Sequence, residues 1–203
     1  MRPRPKTKRL SSPERRTTLV AAFVALAASD DPGSVTTEAI ARKVGVSHAA
    51  VFRHFPTRDA LVAAAIEWSA RALVERLDQA KRSSKSALAA LEAMFLAHVE
   101  FAASHPGVPR ILVSELQKAG NHAAKQAVQT LFFQYACRIS ALVENGKAKG
   151  EITSKVDGAQ TAVLVLGSIQ GLVLQSLMLG QANWVRQQAP GIIAVIKDGL
   201  RRK

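Results

Sequence analysis

Apolar residues recur along this chain at intervals of three and four, between short polar segments carrying proline or glycine. Leu19, Phe23 and Leu26 mark a first helix that runs to about Ala28. Ser12 is placed to cap it, with Pro13 at the first helical position and Glu14 near the positive end of the helix dipole. Asp30-Asp31-Pro32-Gly33 reads as a turn. Thr36 or Thr37 caps a second helix ending at Val44, and Ser47 caps a third ending near Phe55. Pro56-Thr57-Arg58-Asp59 stops that helix and caps a fourth, which extends to about Arg82.

Beyond Ser83-Ser84 the helical period persists. Leu88, Leu91, Phe95, Val99 and Ala102 form one stripe, broken by His105-Pro106-Gly107. A short helix is predicted around Ile111–Lys118 and a long one from about Asn121 to Lys149, ended by Gly150. Segments Asp157–Leu179 and Ala189–Leu200 complete the set. No alternating pattern of useful strand length and no internal repeat is present, so the predicted fold is all-α with about nine helices.

One segment carries a spacing with a mechanical meaning. Ala41 is small where two helix axes must nearly touch. Gly45 follows where the chain leaves a helix with positive φ, and Val51 is apolar where the next helix faces the core. That spacing is the signature of a helix-turn-helix, whose second helix presents its outer face to a DNA major groove.

Charge agrees with a polyanionic partner: the net charge is +13, and residues 1–58 hold eleven Lys/Arg against four acids. Residues 1–12 read as a disordered basic arm, suited to an adjacent minor groove. The single Cys137 rules out an internal disulfide and fits a reducing compartment. The basic N-terminus lacks the apolar core of a signal peptide. From Gly158 to Val185 no residue is charged, but Gln160, Gln170 and Gln175 suit a buried helix at a subunit interface better than a membrane span. No catalytic motif is complete: His98-Val99-Glu100 has half of a zinc deaminase signature, and one cysteine cannot supply the other half. The reading is therefore a non-enzyme, with no metal and no cofactor.

The run Ile40-Ala41-Arg42-Lys43-Val44-Gly45-Val46-Ser47, followed by Val51-Phe52-Arg53-His54-Phe55-Pro56-Thr57-Arg58-Asp59-Ala60-Leu61, resembles the TetR family of bacterial transcriptional regulators. The resemblance covers about residues 14–66. It implies a three-helix helix-turn-helix DNA-binding domain over residues 13–57, then a helical ligand-binding and dimerisation domain over residues 58–203. By position, Thr36 and Thr37 would touch phosphate, and Ser47, His48, Ala49 and Ala50 would begin the helix that meets the base edges. His54 and Arg58 would hold phosphates on either side, and Arg53 belongs to the same DNA-binding set. Phe52 stands where the family usually has tyrosine, and Glu38 where relatives carry a basic or neutral residue. The resemblance further implies a cytoplasmic, nucleoid-associated repressor on a palindromic operator in double-stranded DNA, released by a small-molecule effector.

Gly167 and Gly171, four apart in an apolar helix, permit close helix approach. With Leu174, Leu177, Ile193 and Ile196 they are the expected homodimer interface. Effector-pocket candidates between the central helices are Trp68, Phe95, His98, Phe101, Phe132, Phe133, Tyr135 and Gln170. The run His105-Pro106-Gly107-Val108-Pro109-Arg110-Ile111-Leu112 is also similar to a branch of the family that acts in nucleoid occlusion, which offers an alternative role in cell division.

Overall fold

A computed structural model describes residues 11–202. Most of the basic arm expected over residues 1–12 therefore lies outside the described residues. Among those described there are nine helices and no strand beyond a single antiparallel bridge between Ile152 and Arg201. In chain order they are α1 (Ser12–Leu26), α2 (Thr37–Val44), α3 (His48–His54), α4 (Arg58–Arg82), α5 (Ala87–Ser104), α6 (Gly107–Gln117), α7 (Ala123–Ala148), α8 (Gly158–Leu179) and α9 (Trp184–Leu200).

Caps set the helix starts. Ser11, rather than Ser12, caps α1, which puts Glu14 at the third helical position. Ser11 N–H then donates to Glu14 Oε2 at 2.7 Å while Ser11 Oγ accepts from Glu14 N–H at 3.4 Å, the reciprocal pair of a capping box. Side chains of Thr36, Ser47, Thr57, Ser86 and Asp157 cap α2, α3, α4, α5 and α8 in the same sense. Gly45 ends α2 with φ of 72°, as its place in the turn requires.

Two boundaries differ from the pattern-based expectation. α6 starts at Gly107 and not near Ile111, because Pro106 takes helical dihedrals as its N-cap and the break is confined to His105. α9 starts at Trp184 and not at Ala189, so Pro190 lies inside it. Proline removes the N–H that would bond the Arg186 carbonyl, and Pro190 itself lies on the exposed side of the helix.

Leu19, Phe23, Ile40, Val51, Phe55 and Leu61 are buried in the head, and α1, α2, α3 and the start of α4 wrap them. α4 then runs on to pack against α5, α6 and α7, so one unbroken helix belongs to both halves of the molecule. Behind it α5 packs on α9, and α7 on α8. The C-terminus is fastened to the loop after α7: Thr153 N–H donates to Leu200 O at 2.9 Å, and Arg202 N–H to Glu151 O at 3.2 Å.

Two helices, Ala87–Ser104 and Gly158–Leu179, are long and apolar enough to cross a membrane. The first is a core helix. The second buries one face against α7 and α9 and leaves the other open.

Candidate DNA interface and effector cavity

The second helix of the helix-turn-helix begins with small residues. His48 and Ala49 are exposed and Ala50 is half-buried, while Val51 is closed into the core. An α3 surface of this kind is low enough for its backbone to approach base edges, and the alanine methyls can meet thymine methyls. Arg42, Lys43 and Arg53 are exposed around it and form no ion pair among the described residues. Their charge is thus available to phosphate.

His48 is already engaged. Its Nε2 lies 2.7 Å from Glu38 Oε1 and 2.7 Å from Thr37 Oγ1. A carboxylate only accepts, so this nitrogen carries the proton and donates. The His48 ring also meets Phe52 edge-on, with centroids 4.6 Å apart. The backbone N–H of Glu38 holds its carboxyl below the usual carboxylate range, with smaller help from Thr36, His48 and Thr37. Glu38 thus orients the histidine through contacts between α2 and α3. Phe52 remains 43% exposed on the outer face of α3, while Phe55 is core.

Arg58 is placed differently from the phosphate contact expected of it. Its guanidinium donates to the carbonyl oxygens of Val35, at 2.6 Å, and Pro32, and lies 5.9 Å from the Phe23 ring centroid. A half-buried cation tied to two carbonyls holds the α1–α2 turn onto α4. The opposite end of α3 is held by Arg16, which was not singled out from the sequence. It donates to His54 O at 2.8 Å and covers the Phe55 ring at 4.2 Å. Only its place on the α1 face toward Phe55 could have signalled this.

Between α4, α5, α6, α7 and α8 lies a cavity of about 270 Å³. Five of the predicted pocket residues line it: His98, Phe101, Phe132, Tyr135 and Gln170. Three do not. Phe95 is fully buried in the core, Phe133 is 72% exposed on the outer side of α7, and Trp68 packs edge-on against His105. Each lies on the wrong side of its helix, which aromatic spacing alone does not reveal. Ile66, Ser69 and Leu73 of α4 and Val108, Leu112 and Leu116 of α6 complete much of the wall. The lining includes no lysine, arginine, aspartate or glutamate.

Two polar atoms in this apolar wall have no hydrogen-bond partner, Tyr135 Oη and His98 Nδ1. An unmet buried group of this kind costs about 1–3 kcal/mol. Burial lowers the His98 pKa to about 4 and pushes the Tyr135 phenol up, so both are neutral near neutral pH. Their rings stand 5.5 Å apart.

Residues 19–65 match the bacterial regulatory proteins of the tetR family, and residues 69–199 match the YsiA-like protein, C-terminal region. The chain belongs to the TetR family. It is a DNA-binding transcriptional regulator, and its family and fold are those of transcription regulators. The TetR-type head and helical C-terminal region also resemble named proteins. The chain is 23% identical to the nucleoid occlusion factor SlmA of Marinomonas over 79% of its own length and 81% of that protein. It is 26% identical to SlmA of Vibrio atlanticus, over 77% and 81%. Among solved structures, FadR of Bacillus subtilis in complex with stearoyl-CoA superposes with a TM-score of 0.79 at 16% identity, covering 91% of this chain and 99% of that one. A TetR regulator from Haloarcula marismortui gives 0.82 at 17% identity, covering 94% and 100%.

The open face of this TetR-family chain is on α8 and α9. Val163, Leu164, Leu174 and Met178 of α8 and Ile192 and Val195 of α9 are exposed, and a Cβ on Gly167 or Gly171 would meet nothing within 4 Å. Ile193 and Ile196, expected on this face, point into the core instead. Ile192 and Val195, each one position earlier, take the outward places on α9.

Proposed function

We propose that the protein is a homodimeric repressor that leaves a palindromic operator when a small, largely apolar molecule enters the cavity. The observation that carries this reading is the dual position of α4. Arg58 at its start fastens the turn before the two reading helices, and Ile66, only about 12 Å further along the helix, is cavity wall. A ligand that separates α4 from α6 or α8 therefore moves the heads. Two heads spaced for successive major-groove faces fit DNA in one spacing only, so a shift in that population lowers affinity.

In this reading His48, Ala49 and Ala50 meet base edges, and Thr36, Thr37, Arg53 and His54 meet the backbone. Glu38 and Phe52 shape the approach. The glycine-bearing face of α8, with exposed side chains of α8 and α9, pairs the two subunits. Acting on the chromosome places the protein in the cytoplasm, at the nucleoid. The FadR comparison concerns a protein solved with stearoyl-CoA. For this chain the uncharged apolar wall is what supports an apolar ligand.

Fluorescence anisotropy of a labelled operator, titrated with candidate compounds at fixed protein concentration, tests the induction. Release by a compound that also binds DNA-free protein supports it. Retention of DNA by protein saturated with such a compound refutes it.

A second reading rests on the SlmA relatives, which are nucleoid occlusion factors. It expects many dispersed chromosomal sites and no response to cavity ligands.

A further inference from the structure

We infer that the cavity takes an uncharged molecule carrying a carbonyl oxygen, with Tyr135 donating its O–H to that oxygen and His98 supplying the second polar contact. This rests on the effector-site reading above and names the chemistry of the molecule. Tyr135 is 2% exposed, and its hydroxyl finds no partner among the described residues. A phenol that keeps its proton is a donor in search of an acceptor. His98 Nδ1 is likewise covered and unpartnered, and a neutral imidazole can place its proton on this nitrogen and donate alongside the tyrosine. Both rings line the same cavity with centroids 5.5 Å apart, so the two donors belong to one stretch of its wall.

The same wall disfavours a carboxylate or phosphate. With no cationic side chain in the lining, a buried anion would lose its hydration with nothing to replace it. The exposed wall residue Leu116 of α6 lies off the α8–α9 face and marks the mouth, so any charged extension of the ligand must stay there. The volume of about 270 Å³ holds roughly nine water-sized groups. A ketone, ester, lactone or amide of that size fits.

The test is calorimetric titration of the full-length protein, free of DNA, with methyl heptyl ketone and with nonanoate near neutral pH. The ketone is expected to bind at least about 10-fold more tightly than the carboxylate. Tyr135→Phe is expected to weaken ketone binding about 5-fold, the worth of one hydrogen bond. Because the hydroxyl has no partner to lose, the ligand-free variant should melt no lower than the parent, which separates lost contact from lost fold. Equal or tighter binding of nonanoate, unchanged ketone affinity in Tyr135→Phe, or no binding of either probe would overturn the assignment. The readout is binding, not DNA release. Ketone binding that leaves DNA bound would uphold the ligand class and defeat the induction reading, and DNA release by an anionic compound would do the reverse.

Discussion

Gly107, the first residue of α6, lies so close to Val24 of α1 that a Cβ built on it would stand 1.9 Å from the Val24 carbonyl oxygen. Only a hydrogen fits, so the glycine lets α6, a wall of the cavity, rest directly on the first helix of the DNA-binding head. Because the obstacle is backbone, a side chain cannot be accommodated by a rotamer change. Gly107→Ala is expected to destabilise the protein by about 1–3 kcal/mol, the usual cost of overpacking. Its thermal midpoint should fall, and urea denaturation checks the size. An unchanged midpoint would mean that α1 and α6 are not held in contact in solution.

Arg58→Ala should act on stability and not on the electrostatics of DNA binding. The guanidinium donates to the Pro32 and Val35 carbonyls, and a hydrogen bond to a charged group is worth about 1.5–3 kcal/mol. The variant is expected to melt earlier, while the dependence of log affinity on log salt keeps its slope. A phosphate contact would instead lower that slope by about one unit.

Caps and turns act over three or four residues, so Gly45, Ser47, Thr57 and Asp157 announced their helices directly. Orientation about a helix axis depends on distant packing. That is why Phe95 and Phe133 left the predicted pocket, and why Ile193 and Ile196 turned inward where Ile192 and Val195 face out. Arg58 shows the same limit in the head. Its position in the motif was legible, whereas its bonds to carbonyls more than twenty residues earlier were not. The unpartnered atoms of His98 and Tyr135 emerge only from a count of donors and acceptors in three dimensions.

Val195 is 73% exposed at the centre of the apolar α9 face. Val195→Asp should keep the monomer fold, since the side chain leaves no core space behind. In a dimer it would place two carboxylates in an apolar interface, which is strongly unfavourable. Sedimentation velocity is expected to show dimer for the parent and monomer for the variant. A variant that stays dimeric would move the interface elsewhere.

Acid should loosen the contact between α5 and α9. Arg186 donates to both oxygens of Glu100, at 2.7 and 2.8 Å, and Ser104 donates to Oε1 at 2.6 Å. Those bonds, the Arg186 pair first, lower the Glu100 pKa from 4.5 to about 2. A depressed folded-state pKa contributes stability above the unfolded value that is lost as pH falls. The Glu100 contribution is thus present above pH 4.5 and disappears on descent toward about 2. The site is largely exposed, so the effect is small and screened by salt. In Glu100→Gln, thermal midpoints between those pH values should change less steeply than in the parent. Identical slopes would dismiss the ion pair as a contributor.

Selection of bound sequences from fragmented host DNA, at near-physiological salt, tests the central claim most directly, run in parallel with the parent and with His48→Ala. A small set of promoter-proximal palindromes is expected for the parent. The variant should change the preferred base at one position of each half-site, a discrimination of about 1–3 kcal/mol. Recovery of fragments without a shared motif, or an identical motif from both proteins, would contradict base reading by the His48 end of α3.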